Sequence, residues 1–434
     1  MMAGFTRNNQ PHQHFELLLR KGIFPYAYVD AWGKLDDNAL PPRDSFFNEL
    51  RNEECSEADY GHAARVWDGF QCRTLKGYME LYLKTDVLIL ADIFEEFREV
   101  CTTNYGLDPA HYISAPQLSW DSMLKLTECK LELISDPEMF SCIDPGIRGG
   151  VSMITTRFAR ANNPYMSTFD PALPTSYIIY LDANNLYGWA MSMPMPNGGF
   201  TWLLEVDYKN IDWLAQTEEQ DMGYFIECDL DYPPELHELH NDYPLAPERV
   251  DVKVEMLSGN QVDLMAHYRM PRSSKDIKLI PNLLPKKKYL CHYLNLKFYL
   301  EHGMKLEHIH RVLRFSQSAW LGKYIKKNSE LRASAKNDFE KEFFKLMNNS
   351  IYGKTCENQK KRTDIKLVTT DAKCKKLTEK PHCMGFKIFG ESLVAIELRK
   401  LKTMINKPFY VGFSVLELSK LHMYRYDLSI SVAV

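Results

Sequence analysis

The chain has 434 residues, of which 45% are apolar and 25% charged. That balance excludes global disorder, and the length accommodates about two to three domains, each with its own core. No run approaches the ~18 apolar residues of a membrane span, and the polar start MMAGFTRNNQPHQHF lacks an apolar signal region. The cysteines are scattered without a CxxC. They read as reduced thiols of an intracellular protein, with nucleus and viral or organellar compartment undistinguished. His12 with His14, and His382 with Cys383, lack a second half for a zinc site. A net charge of −4 hides an asymmetry: residues 1–270 carry 20 Lys and Arg against 42 Asp and Glu, and residues 271–410 carry 31 against 13. The basic block suggests a polyanionic partner for the later half.

In chain order, Leu75, Tyr78, Tyr82, Asp86, Leu90 and Phe94 recur at spacings of three and four, which predicts a helix over 73–101 with Gly106 as its stop. A second helix is expected over 120–133. The turn-rich run 144–150 (DPGIRGG) reads as a domain joint. Residues 176–181 (SYIIYL) read as a buried strand, and 223–230 (GYFIECDL) as another. Helices are expected over 289–300, 320–330, 335–348 and 415–424. Strands are expected over 306–315, 386–388 and 393–396.

Two places carry chemistry. Asp182 follows the SYIIYL run; a carboxylate at a strand end can ligate a hard cation from a rigid support. Further on, at 100° per residue, Asp338, Lys341, Lys345, Asn349 and Tyr352 fall within roughly 80° of one another. Phe339, Phe343, Leu346 and Met347 take the opposite, core side. Lys341 and Lys345, one turn apart, repel each other and could cradle a triphosphate. Acids interleaved with these lysines also fit a solvated, ion-paired face.

At these residues the chain resembles a known family. Residues 182–187 (DANNLY) resemble motif A (DxxSLYP) of the family B DNA polymerases, and 345–353 (KLMNNSIYG) resemble motif B (KxxxNSxYG), all five fixed positions matching in the right order. Residues 82–86 (YLKTD) are similar to the third exonuclease motif, YxxxD, and 147–150 (IRGG) to the YxGG joint without its aromatic. The long interval between motifs resembles the protein-primed branch of phages, adenoviruses, linear organellar plasmids and self-synthesising transposons. The resemblance implies a DNA-directed DNA polymerase that adds dNTPs to primer-template DNA with two Mg2+ ions, with a terminal priming protein as a partner. It implies an α/β fold: the C-terminal part of an RNase H-like exonuclease domain, then a palm and helical fingers.

By the same resemblance, Asp182 and the Ala183 carbonyl would hold metal. Asn185, Leu186 and Tyr187 would line the nucleotide pocket, with Tyr187 rejecting a ribose 2′-hydroxyl. Lys341 and Lys345 would hold phosphates, and Asn349 would contact the nucleotide. Gly149, Gly150, Tyr352 and Gly353 would meet DNA, and Tyr82 and Asp86 would be an exonuclease remnant. Asn185 stands where the family has Ser, and Gly188 where it has Pro. No DxD follows Gly353 and no DxE precedes Tyr82, so motif C, which carries the second metal carboxylate, and the thumb are expected to be missing. Residues 229–231 (DLD), lying between A and B, read as a palm strand. A truncated chain of this kind is expected to be inactive in synthesis and proofreading; the alternative is a non-enzymatic nucleic-acid-binding remnant. The lack of YxDD or GDD argues against a reverse transcriptase or RNA polymerase. The expected divisions are 1–145 (exonuclease-like), 146–270 (palm with motif A), 271–330 (insertion), 331–369 (fingers) and 370–434 (second palm part). Within the insertion, Lys286, Lys287 and Lys288 are expected to track a phosphate backbone.

Overall fold

The computed structural model describes residues 6–7, 10–11, 14–154, 158–270, 277–402 and 404–431. The chain divides into two compact units, Met1–Ile113 and Ser114–Val434. His12 lies outside the described residues.

In the first unit, strand β1 (Thr6–Arg7) pairs antiparallel with β2 (Gln10–Pro11), and helices α1 (Glu57–Gly69) and α2 (Leu75–Tyr105) follow. Both helices start where a hydroxyl takes up an orphan backbone donor: Ser56 accepts from the Asp59 N–H, and Thr74 from that of Gly77. The stop expected at Gly106 is there, at φ +65°, a left-handed position that favours glycine. Ala63, Val66, Leu75 and Tyr78 form the core with Leu17 and Trp67 packed against it. The apolar spacing continues beyond the packed turns, since Leu90 is 67% exposed.

The second unit begins with α3 (Ala115–Thr127) and α4 (Pro137–Ile143). There follow α5 (Leu186–Ser192), β3 (Met195–Trp202), α6 (Glu205–Tyr208), β4 (Met222–Asp231) and β5 (Glu248–Asp251). Next come α7 (Gly259–His267), β6 (Ile277–Ile280), β7 (Lys286–His292), α8 (Tyr293–Glu301), β8 (Lys305–Ser318), α9 (Gly322–Ala333) and α10 (Asp338–Thr355). The last elements are β9 (Thr363–Val368), α11 (Asp371–Thr378), β10 (Cys383–Gly390), β11 (Leu393–Arg399) and α12 (Phe409–Ser431).

The main sheet has the order β3-β8-β4-β7, all antiparallel, and a separate sheet has the order β10-β11-β9. Behind the main sheet runs α12, buried on every side from Phe409 to Leu421. Phe413 meets Phe225 of β4 edge-on at 4.9 Å, and Phe225 meets Phe315 of β8 at 4.4 Å. No described helix is long and apolar enough to cross a membrane.

Several expectations change. Residues 177–181 pair with no described strand, and Ile179 is 67% exposed; only Ser176 bridges Asn162. An apolar run becomes a buried strand only where a neighbouring strand takes its backbone groups, and the main sheet is built from other segments. The 223–230 strand, including Asp229 and Asp231, is β4 in the middle of that sheet. The first compact unit ends at Ile113 and not near residue 145, because α3 packs into the second unit: the Ser119 hydroxyl donates to the Met347 carbonyl of α10 at 2.6 Å. The division drawn at 270/271 separates β3 and β4 from β7 and β8, which share one sheet, and that at 369/370 cuts through the β9–β11 unit.

Candidate functional site

The helix carrying Lys345 is α10, started by Asn337, whose side chain accepts from the Glu340 N–H. Its buried face runs through Phe344, Met347, Asn348, Ile351 and Thr355. The expected core side is therefore rotated: Phe343 and Met347 are buried, but Phe339 is 57% and Leu346 44% exposed. The rotation brings an amide inside. Asn348 accepts from the Asn328 Nδ2 at 2.9 Å and donates to the Ile325 carbonyl, clasping α10 to α9. Buried polar groups need partners, and this clasp fixes the register of the two helices.

On the outward side stand Lys341, Lys345 and Asn349, all exposed. Lys345 lies 3.2 Å from Glu342 in an exposed pair, an arrangement of little net worth that another anion can replace. Arg332, at the end of α9, and Lys341 form no ion pair among the described residues. Together with Asn185, Ser329, Ala333 and Asn348, these three cations line a cavity of about 330 Å3. Sequence reasoning missed Arg332 and Asn348. Arg332 sits on a different helix outside any motif, and Asn348 was hidden by the rotated face.

Motif A reaches the same place through a turn. Asn185 takes φ +55°, a conformation asparagine tolerates better than most residues, and opens α5. Its side chain lies directly over Gly188, where a Cβ would collide with the Asn185 amide. The two departures from the family pattern, Asn185 for Ser and Gly188 for Pro, are thus one steric pair. Leu186 and Tyr187 are half-buried in α5, and the Tyr187 ring meets that of Tyr352 at 4.6 Å. Burial pushes both phenols above their ordinary pKa, so both stay neutral. Cys356 lies against this pair, its thiol also raised by burial.

Asp182 is exposed and Ala183 half-buried, three and two positions before Asn185. Among the described residues no three His, Cys, Asp or Glu side chains converge as a metal-holding group. The donors present do not fit a two-ion centre by themselves. His382 and Cys383 belong to no such group.

Gly149, Gly150 and Gly353 are exposed, and a Cβ at any of them would meet nothing within 4 Å. Among the described residues no contact requires glycine at these three positions. The run 286–288 does not form one basic surface. Lys286 is fully buried, 3.0 Å from Glu248 and bonded to Asn282, while Lys287 lies 3.3 Å from Asp229. Only two of the three lysines reach solvent, because the strand's pleat and the irregular pairing at this end of β7 turn Lys286 inward. In the first unit, Tyr82 and Asp86 stand one turn apart on α2 and line a small cavity with Arg20 and His62. The Tyr82 hydroxyl meets that of Tyr26 at 3.2 Å.

The sequence matches the family model described as DNA polymerase type B, organellar and viral, over residues 12–428. No curated protein matches it. Among solved structures it is similar to the Phi29 DNA polymerase in an orthorhombic crystal form, with 13% identity and a TM-score of 0.42 over 94% of this chain and 57% of that one. It is also similar to Phi29 DNA polymerase with primer-template DNA in a post-translocation binary complex, with 15% identity and a TM-score of 0.40 over 91% and 54%. The ternary complex with primer-template DNA and incoming nucleotide substrates gives 14% and 0.38 over 92% and 53%. This chain thus spans little more than half the length of the solved polymerases it matches. With a family match that runs through both motif A and motif B, the chain belongs to the type B DNA polymerases of the organellar and viral kind.

Proposed function

We propose that this chain serves template-directed DNA synthesis, binding a deoxynucleoside triphosphate in the cavity between α9 and α10. The observation that carries this reading is the meeting of Asn185 with Arg332, Lys341 and Lys345 around one open cavity. Three cations around a space of that size suit a triphosphate, whose charges they meet by charge-assisted hydrogen bonds. Tyr187, two residues after Asn185, packs its ring at a tilt against that of Tyr352, and this aromatic pair is the proposed apolar surface for sugar and base. Primer-template DNA is the proposed partner of Gly149, Gly150 and Gly353, where a backbone can approach without meeting a side chain. A terminal priming protein and a transposon or viral origin are part of the same proposal and rest on the sequence resemblance; an intracellular location is proposed from the scattered cysteines read as reduced thiols.

Asp182 is the proposed metal-binding carboxylate, with Mg2+ as the ion. Because no group of three His, Cys, Asp or Glu donors converges among the described residues, the reading separates into binding and catalysis, and a nucleic-acid-binding chain without catalysis is the second reading. Titration of the purified chain with a fluorescent dNTP tests the first part. Saturable binding, displaced by unlabelled dNTP but not by the nucleoside, and weakened by Lys345→Ala, is expected. Equal displacement by nucleoside and triphosphate would remove the triphosphate reading. Primer extension tests the second part: templated products that vanish on Asp182→Ala support catalysis, and binding of DNA without extension favours the second reading.

A further inference from the structure

Besides Lys286, three charged side chains lie in the core of the second unit and belong to no part of the nucleotide cavity. Arg148 is 6% exposed, Glu417 0% and Lys420 5%. Glu417 and Lys420 are one turn apart on α12, with Lys420 Nζ 3.1 Å from Glu417 Oε1. Arg148 reaches in from the 144–150 joint, where its guanidinium covers the Tyr289 ring at 3.9 Å and donates to the Leu290 carbonyl at 2.5 Å. Stripping such charges of water is costly, and a core of apolar residues of the same volume is often at least as stable. The group therefore calls for a reason other than stability.

The hydrogen bonds supply one. Lys420 Nζ also donates to the backbone carbonyl of Arg148 at 3.1 Å. One residue earlier, the Ile147 carbonyl accepts from Arg249 Nη2 of β5 at 2.8 Å. Two successive carbonyls are thus held by cations from two different elements. Gly146 just before them is wedged so tightly that a Cβ would stand 2.7 Å from Leu290 and 3.0 Å from Phe413. The next two residues, Gly149 and Gly150, are exposed, and a Cβ at either would meet nothing within 4 Å. The chain passes from a clamped carbonyl to an exposed, irregular segment within a single residue.

We propose that Arg148, Glu417 and Lys420 form a buried latch that fixes the joint, positioning Gly149 and Gly150 for contact with a nucleic-acid backbone. Each member has a distinct part. Lys420 holds the Arg148 carbonyl. Arg148 ties the joint to β7 through Leu290. Glu417 offsets the two cations, and its own helical turn is fixed by Asn295, whose Nδ2 donates to the Glu417 carbonyl at 2.9 Å. These are positioning residues: none faces the proposed DNA. The nucleic-acid part of the inference rests on the reading under Proposed function; the latch itself does not.

The test uses the whole chain with Glu417→Leu and Lys420→Met together. One acid and one base are removed, so the net charge of the group is unchanged, and both replacements are good helix formers. Removing Glu417 leaves Arg148 buried without this counter-charge, so the thermal midpoint should fall, and it is measured to confirm that the variant is folded at the temperature of the cleavage assay. The peptide bond after Arg148 is a trypsin site protected while its side chain is buried and its carbonyl held. Its cleavage, followed by mass spectrometry against another tryptic site of α10, should speed up about tenfold in the variant, the loss of a charged hydrogen bond. Affinity for a single-stranded oligonucleotide, measured by fluorescence anisotropy, should fall by a similar factor. If the pair fails to fold, Glu417→Gln with Lys420→Met keeps the shape of the first side chain and tests the same bond. Unchanged cleavage after Arg148 in a folded variant would overturn the latch. Faster cleavage with unchanged oligonucleotide affinity would overturn the positioning role. A wild-type chain that binds no oligonucleotide would instead count against the reading under Proposed function, and the cleavage rate would still decide the latch.

Discussion

The phenol of Tyr187 on α5 rests against that of Tyr352 on α10, centroids 4.6 Å apart and planes inclined by 46°. The contact joins two segments that are distant in sequence, so the residues on either side of it share one cavity wall. If Tyr187 screens the sugar, trimming it to valine opens space where a 2′-hydroxyl would sit. Tyr187→Val is expected to bind rNTP and dNTP alike, where the wild type prefers dNTP by up to ~10²-fold, the scale on which a pocket rejects an added hydroxyl. Competition titrations with paired ribo- and deoxynucleotides read the ratio. An unchanged preference in Tyr187→Val would assign the screening elsewhere.

Arg332, Lys341 and Lys345 surround the cavity from two helices. Replacing any one by alanine should weaken triphosphate binding about tenfold or more, the cost of a hydrogen bond to a charged group. The nucleoside's weak binding should not change. Isothermal titration at two salt concentrations separates the cases, since a loss confined to low salt would indicate long-range attraction only.

Gly412 of α12 lies against the end of α10, where a Cβ would collide with the Cys356 sulfur and stand 2.7 Å from the Thr355 hydroxyl. Gly412→Ala should cost about 1–3 kcal/mol through overpacking. Cys356→Ala in the same chain should recover most of that loss by making room. Urea unfolding of the single and double variants reports the coupling, and simple additivity would show that the sulfur is not what the methyl meets.

Asp229 of β4 lies 2.8 Å from His310 and accepts the Lys288 amide at 2.8 Å. An ionised carboxylate only accepts, so His310 Nε2 carries the proton. Burial works against the charge of Asp229, but the Lys288 amide, His310 and Lys287 outweigh it and hold the pKa at about 2. A carboxyl whose pKa is lower folded than unfolded contributes stability above its unfolded pKa and loses it as pH falls through the folded one. Asp229→Asn should therefore be less stable than wild type at pH 7, with the gap closing from pH ~4 towards 2. Denaturation midpoints along that series check it; a gap that stays constant with pH would mean the substitution acts through shape and not charge.

Much of this molecule was legible in its sequence where the signal is local. The α2 helix with its Gly106 stop, β4 and β8, α9, α10 and the apolar α12 follow from periodicity and turn chemistry, because a helix or strand answers to its own spacing of apolar residues. The family was legible because motifs A and B are short, specific runs that stand in the sequence in the right order. The tertiary structure alone decided the rest. Residues 176–181 have the composition of a buried strand, but burial depends on a neighbour that composition does not encode. Lys286 stands in a basic run and is buried all the same, because β7's irregular pairing turns it onto Glu248. Asn348 and Arg332 join the cavity only because α9 is clasped to α10 by a buried amide pair. The latch of Arg148 with Glu417 and Lys420 draws on two segments far apart in the chain. A spacing rule within one element reports which side chains share its face; which face meets which, and which charge is left without water, is settled when the elements pack.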